Sequence, residues 1–170
     1  MDVSELAGRR VLVVGLARSG MAAAEALVGR GASVVGFDRN VTLDAGRLED
    51  LGVELHRGRE EETLLQGIDL VVKSPGVPGE TLLVAGAHER DVPVWSEIEL
   101  GGRLLSNPIL GVTGTNGKTT TTALLGEMFR TANRPVEVAG NIGRPLTSLV
   151  GSVQREAWIV CELSSFRSFR

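Results

Sequence analysis

The chain has 170 residues, of which 42% are hydrophobic and 23% charged, the balance of a folded globular protein with room for one domain or one and a half. A formal net charge of −3 argues against a nucleic-acid binder that relies on bulk basicity, and a single cysteine, Cys161, excludes an internal disulfide and a cysteine-rich metal site. No apolar run reaches membrane-spanning length, and Met1-Asp2-Val3-Ser4-Glu5 lacks the basic, apolar, small-residue order of a signal peptide, so no membrane association and a cytoplasmic location are expected.

The chain alternates apolar β-branched runs with helical patterns. Val11–Val14 reads as a buried parallel strand, Gly15–Gly20 as a turn and Met21–Val28 as an alanine-rich helix. Ser33–Phe37 is a second strand, Leu43–Leu51 a helix, Val53–His56 a weaker strand and Glu60–Gln66 a short helix. Ile68–Val72 is a strand closed by Lys73-Ser74-Pro75-Gly76-Val77-Pro78. Leu82–Arg90 is helical, Val92–Val94 a short strand and Ser96–Leu104 a helical turn. The β-α-β-α order predicts a Rossmann-like, doubly wound α/β domain over residues 1–105.

Its turn, Gly15-Leu16-Ala17-Arg18-Ser19-Gly20, departs from the dinucleotide fingerprint, which wants glycine where Ala17 stands. Asp38 ends the second strand, roughly where such folds place a ribose-binding acid. An NAD site, a nucleotide-sugar site and a turn without a ligand are all open on these residues alone.

Ser106-Asn107-Pro108 reads as a short linker, after which a second α/β unit begins. Pro108-Ile109-Leu110 is a strand, followed by Gly111-Val112-Thr113-Gly114-Thr115-Asn116-Gly117-Lys118-Thr119-Thr120 and a helix over Thr121–Phe129. A glycine-rich turn at a helix start aims successive backbone N–H groups at a polyphosphate. Lys118 then reaches the outer phosphates of ATP and the Thr119 hydroxyl meets Mg²⁺. The general pattern wants glycine at 112, where valine stands between Gly111 and Gly114. A P-loop kinase or NTPase is one reading, and a turn that merely needs glycines the bland one.

Pro135–Val138 is the next strand, Ala139–Gly143 a turn, Leu146–Val150 a short helix and Ala157–Leu163 a further strand holding a buried Cys161. Glu162 follows the apolar run Trp158–Cys161, as an acid completing a Mg²⁺ site from a neighbouring strand would; otherwise it is a solvated strand-end acid. His56 and His88 have no partner spacing and read as surface residues, Trp95 and Trp158 as packing residues, and Glu60-Glu61-Glu62 as a solvated first helical turn.

GVTGTNGKTT over 111–120, GNIG over 140–143 and ELSSF over 162–166 together resemble the Mur ligase family. Within it, GLARSG at 15–20, SPGVP at 74–78 and SEIEL at 96–100 are most similar to the members that add D-glutamate. The resemblance implies a monomeric enzyme of three domains. Residues 1–105 would bind UDP-N-acetylmuramoyl-L-alanine through Gly15, Leu16, Ala17, Arg18 and Ser19 at the diphosphate, Asp38 and Arg39 at the uracil, and Ser74, Pro75 and Gly76. Residues 106–170 would be the start of the ATP domain, with Gly114, Thr115, Asn116, Gly117, Lys118, Thr119 and Thr120 around ATP. Thr119 and Glu162 would hold Mg²⁺, and Asn141 and Ser164 would lie toward the sugar nucleotide. Lys118 and Glu162 would serve catalysis, ligating D-glutamate through an acyl phosphate.

The family usually has glutamine where Arg167 stands and continues far beyond position 170. A truncated chain is therefore expected, without the C-terminal D-glutamate domain and unable to complete turnover. The second unit should be the less well ordered one, and limited proteolysis should leave a core ending near Leu105.

Overall fold

Strands whose two faces are both covered must be apolar along their interior, and β1 (Arg10–Val14), β2 (Ser33–Asp38) and β4 (Leu70–Lys73) meet that demand, with their polar residues only at the ends. In the computed structural model, which describes residues 2–164, they join β3 (Glu54–Arg57) and β5 (Val94–Ser96) in one parallel sheet of order β3-β2-β1-β4-β5. Leu12 pairs with Val35 on one side and Val71 on the other. Successive side chains alternate between faces. Leu12, Val14, Val35, Phe37 and Val71 thus form one core layer with Leu83 and Ala87 of α3 (Leu82–Glu89). Val11 and Val13 belong to the opposite face, and α1 (Arg18–Val28) packs along β1 and β2 with Ala23, Ala24 and Leu27 fully buried.

The elements follow the expected order, with local differences. Helix α1 starts at Arg18, before the expected Met21, because Gly20 has no Cβ: an added one would lie 1.8 Å from the Gly15 carbonyl oxygen. The helix expected over 43–51 shortens to α2 (Gly46–Asp50), and those over 60–66 and 146–150 become single 3₁₀ turns, Glu62–Leu65 and Leu146–Leu149. Such short segments close i→i+3 bonds, as Gln66 N–H does to Thr63 O at 3.1 Å and Ser148 N–H to Pro145 O at 3.1 Å.

Packing divides the chain between Glu97 and Ile98, ahead of the boundary expected at Leu105. Helix α4 (Glu97–Leu104) therefore sides with the second unit over most of its length. Ile98 joins the second core with Ala139, Leu146, Leu149, Ile159 and Cys161, and Gly101 sits so close to Leu146 that a Cβ there would be 2.8 Å from its Cγ. The expected linker is not loose: the Asn107 amide donates to the carbonyls of Gln154 at 2.9 Å and Ala157 at 3.0 Å.

The second unit holds β6 (Ile109–Val112), α5 (Lys118–Thr131), β7 (Val136–Gly140) and β8 (Trp158–Glu162), in a parallel sheet of order β6-β8-β7. Gly126 lets α5 approach the sheet, since a Cβ there would meet Val138 at 2.6 Å. Phe129 and Trp158 stack at a centroid distance of 5.5 Å. Among the described residues, no helix is long and apolar enough to cross a membrane.

Candidate functional site

In the first unit the sheet changes direction at β1, with β2 on one side and β4 on the other. Ligands of such folds bind at that point, beyond the carboxyl ends of the strands. The turns after β1, β2 and β4 converge there and are tied together. Gly15, with φ of 83°, donates its N–H to Phe37 O at 2.8 Å, and its own carbonyl accepts from Ser74 Oγ at 2.6 Å. Ser74 N–H returns to Val14 O at 3.0 Å. Asp38 accepts the Leu16 N–H at 2.6 Å on one oxygen and the Asn40 N–H at 2.8 Å on the other. The acid expected at a ligand base therefore also shapes two loops.

Arg18, Ser19 and Gly20 open α1, and helix geometry leaves the N–H groups of a first turn without intrahelical acceptors. Ala17 and Arg18 are exposed, Ser19 is half-buried, and Pro75 and Gly76 are exposed at the tip of the turn after β4. Arg39 points to Glu60 instead of standing alone, with Nη2 2.7 Å from Oε1.

In the second unit the Gly117 N-cap of α5 has φ of 75°, a left-handed conformation that favours glycine. Gly114 has φ of 149°, and Thr115, Asn116, Thr119 and Thr120 are exposed around the turn. The Lys118 ammonium folds over the turn, donating to Gly114 O at 2.6 Å and lying 3.5 Å from Thr115 O. β8 lies beside β6 with Val112 opposite Glu162, so the acid stands at the foot of the turn. Thr119 Oγ1 donates to Glu162 Oε2 at 2.9 Å.

Glu162 is 3% exposed, and no Lys or Arg among the described residues lies within ion-pair distance of it. A buried carboxylate with only a hydroxyl for company fits a hard divalent cation, which accepts a few protein oxygens and takes phosphate or water for the rest. On the other side of Glu162, Gly140 has φ of 108°, and an added Cβ would lie 2.4 Å from Glu162 O. That close approach lets exposed Asn141 donate its N–H to the same carbonyl at 2.9 Å. Ser164 is half-buried two residues on, while Ser165, Phe166 and the sequence from Arg167 to Arg170 lie outside the described residues.

Three groups behave differently from their sequence reading. Glu60 is not solvated: its side chain is 7% exposed, pairing Arg39 and accepting the Leu83 N–H at the start of α3 at 3.2 Å. His56 has a partner, Glu54, two residues back on the same face of β3, with Nε2 2.8 Å from Oε1. Lys73, expected in the turn that closes the strand, is instead the last residue of β4, and its ammonium donates to Val77 O at 3.0 Å inside the turn that follows. The Glu60 contacts depend on residues distant in sequence, whereas those of His56 and Lys73 are local, two residues back on the same strand and four residues on in the same turn. Cys161 is fully buried in β8, as its apolar flanks predicted. Among the described residues, no cluster of three or more His, Cys, Asp or Glu could hold a metal by itself.

Two parallel sheets, each with a glycine turn after a strand and before a helix, define a class of nucleotide-handling α/β proteins. Residues 9–96 match the family described as Mur ligase MurD-like, N-terminal domain, and residues 112–168 match the Mur ligase middle domain. The chain belongs to the Mur ligase family.

Among its curated relatives, the UDP-N-acetylmuramoylalanine--D-glutamate ligase of Caldanaerobacter subterraneus subsp. tengcongensis is 47% identical over 167 residues, covering 96% of this chain and 37% of the relative. The enzyme of the same name from Geotalea daltonii is 45% identical over 169 residues, with 96% and 37% covered. The chain thus spans a little over a third of the length of these relatives. The UDP-N-acetylmuramate:L-alanyl-gamma-D-glutamyl-meso-diaminopimelate ligase from Neisseria meningitides shares the fold, with a TM-score of 0.57 at 21% identity over 95% of this chain and 56% of that one.

Proposed function

We propose that this chain carries the sugar-nucleotide domain and the first part of the ATP site of an enzyme that joins D-glutamate to UDP-N-acetylmuramoyl-L-alanine in peptidoglycan synthesis. The observation that carries the reading is the Thr119–Glu162 contact at 2.9 Å, which places a hydroxyl and a buried carboxylate at the foot of a Gly-Lys-Thr turn. Relatives named for this ligation, at 41% and 47% identity, support the choice of substrates. On this reading the two domains divide where the packing does, between Glu97 and Ile98, ahead of the boundary at 105 expected from sequence. The location is cytoplasmic and the chain monomeric.

The sugar nucleotide lies at the β1/β4 crevice, its diphosphate over the start of α1 at Ala17, Arg18 and Ser19. Gly15 and Leu16 also face the diphosphate, the uracil lies by Asp38 and Arg39, and Ser74, Pro75 and Gly76 form the opposite wall. Asn141 and Ser164 are the second unit's candidate contacts for the sugar nucleotide. ATP lies on the turn from Gly114 to Thr120. Lys118 exchanges the Gly114 and Thr115 carbonyls for the β- and γ-phosphates, and Thr119 and Glu162 hold Mg²⁺. Held by these two side chains, Mg²⁺ would supply positive charge to offset that of the phosphates.

An oxygen of the substrate's terminal L-alanine carboxylate attacks the γ-phosphorus and ADP leaves, giving an acyl phosphate. The amine of D-glutamate then attacks the carbonyl carbon, loses a proton and expels phosphate, leaving an amide. Lys118 stabilises the negative charge that the first step gathers.

Calorimetric titration of UDP-N-acetylmuramoyl-L-alanine into the chain tests the reading. Saturable one-to-one binding is expected, weakened at least about tenfold by Asp38→Ala, the scale of losing a charge-assisted hydrogen bond. A folded chain that gives no binding heat overturns the sugar-nucleotide assignment.

A further inference from the structure

The turn after β4 is closed twice. Val77 N–H donates to Ser74 O at 3.0 Å, which makes Ser74–Val77 a tight turn with Pro75 and Gly76 at its tip. From beneath, the Lys73 ammonium donates to Val77 O at 3.0 Å. The anchored residue is the one that touches the partner loop: a Cβ on Gly15 would lie 2.6 Å from Val77 Cγ2. Val77 also packs on the core layer containing Val14 and Phe37. Ser74, the other end of the turn, grips Gly15 O through its hydroxyl at 2.6 Å.

Lys73 is half-buried, and none of the ion pairs among the described residues involves it. Burial pushes its ammonium below the usual lysine range, with no neighbouring carboxylate to offset the loss of water. A side chain needed only for solubility would extend into solvent. This one spends its charge on a single backbone carbonyl.

We propose that Lys73 is a positioning residue of the sugar-nucleotide crevice, holding the Ser74–Val77 turn against Gly15 so that both walls are in place before the ligand arrives. It rests on the crevice assignment made above. It acts through Ser74, Val77 and Gly15, and a crevice wall fixed in advance spares the ligand the cost of ordering it.

The test compares the chain with Lys73→Met and Lys73→Arg, by calorimetry with UDP-N-acetylmuramoyl-L-alanine and by amide hydrogen exchange at Val77. Lys73→Met is expected to bind about tenfold more weakly, the scale of one charge-assisted hydrogen bond, with faster exchange at Val77. Lys73→Arg keeps a donor for Val77 O and is expected to restore both, which general loss of packing would not do. Unchanged affinity in Lys73→Met, with the parent chain binding, overturns the positioning role and leaves the crevice assignment standing. Reduced affinity that Lys73→Arg does not restore, or that comes without faster Val77 exchange, also overturns it. If the folded parent chain does not bind, the crevice assignment fails and the positioning role fails with it.

Discussion

Strands β1 and β6 each lead through a glycine turn into a helix, yet they are supported in opposite ways. β1 is central, flanked by β2 and β4, and its last four residues are buried. β6 is at the edge of its sheet, pairs only with β8 among the described residues, and alternates between exposed and half-buried positions. The turn after β1 is consequently held by residues from two other strands, Asp38 and Ser74, at 2.6 Å each. The turn after β6 is held largely by itself, with Lys118 on Gly114 O and one outside contact, Thr119 to Glu162. The second unit also leaves Leu124 and Met128 of α5 largely exposed. A central strand gives its turn a rigid, preformed wall. An edge strand leaves a turn whose lysine rests on the turn's own carbonyls.

The comparison is most easily broken at Gly20. If the first crevice depends on close approach of α1 to the turn, Gly20→Ala should destabilise the first unit by about 3 kcal/mol or more, since backbone atoms must move to admit the methyl group. Thermal unfolding read from buried Trp95 in a Trp158→Phe background measures this. An unchanged midpoint would mean that the turn is not rigid.

Glu162→Gln sharpens the other half. The carboxylate is expected to make ATP binding depend on Mg²⁺, so the variant should lose at least about tenfold in Mg·ATP affinity, the lower end of what even outer ligand-sphere changes cost. Metal-free ATP with EDTA should bind parent and variant alike. Equal Mg·ATP affinity in both would remove Glu162 from the metal site.

The smallest expected effect is at the edge of the first sheet. Glu54 lies below the usual carboxylate range, chiefly through its hydrogen bond to His56 and then through Arg10, whose Nη2 is 2.7 Å away. A lowered folded value means that this contribution is complete above the ordinary 4.5 and fades as pH falls through the folded value. Both groups are well exposed, so Glu54→Gln should cost less than about 1 kcal/mol at neutral pH. The difference from the parent should shrink in acid; urea titrations at pH 7 and pH 3 that showed a growing difference would contradict the sign.

Much of this architecture is legible residue by residue. Val11–Val14 and Ile68–Val72 read as strands, and Gly117-Lys118-Thr119 after Ile109–Leu110 as a glycine turn into a helix. Motifs of this kind are local, written within one turn of helix or a few residues of strand. The start of α1 was not legible, because it depends on how near Gly20 comes to Gly15. Nor was the division at Glu97, because α4 is sorted by what Ile98 and Gly101 touch and not by their own pattern.

The sequence by itself determined two parallel α/β units, their glycine turns and the residues Lys118, Thr119, Asp38 and Glu162 as candidates for chemistry. Packing of distant elements sets the contact of Glu162 with Thr119 across 43 residues of chain, and that of the Glu60 side chain with Arg39 and the Leu83 N–H. The reason is physical. Periodicity reports which face of an element is apolar, whereas partners are chosen by strand order and burial, which depend on all elements packing at once.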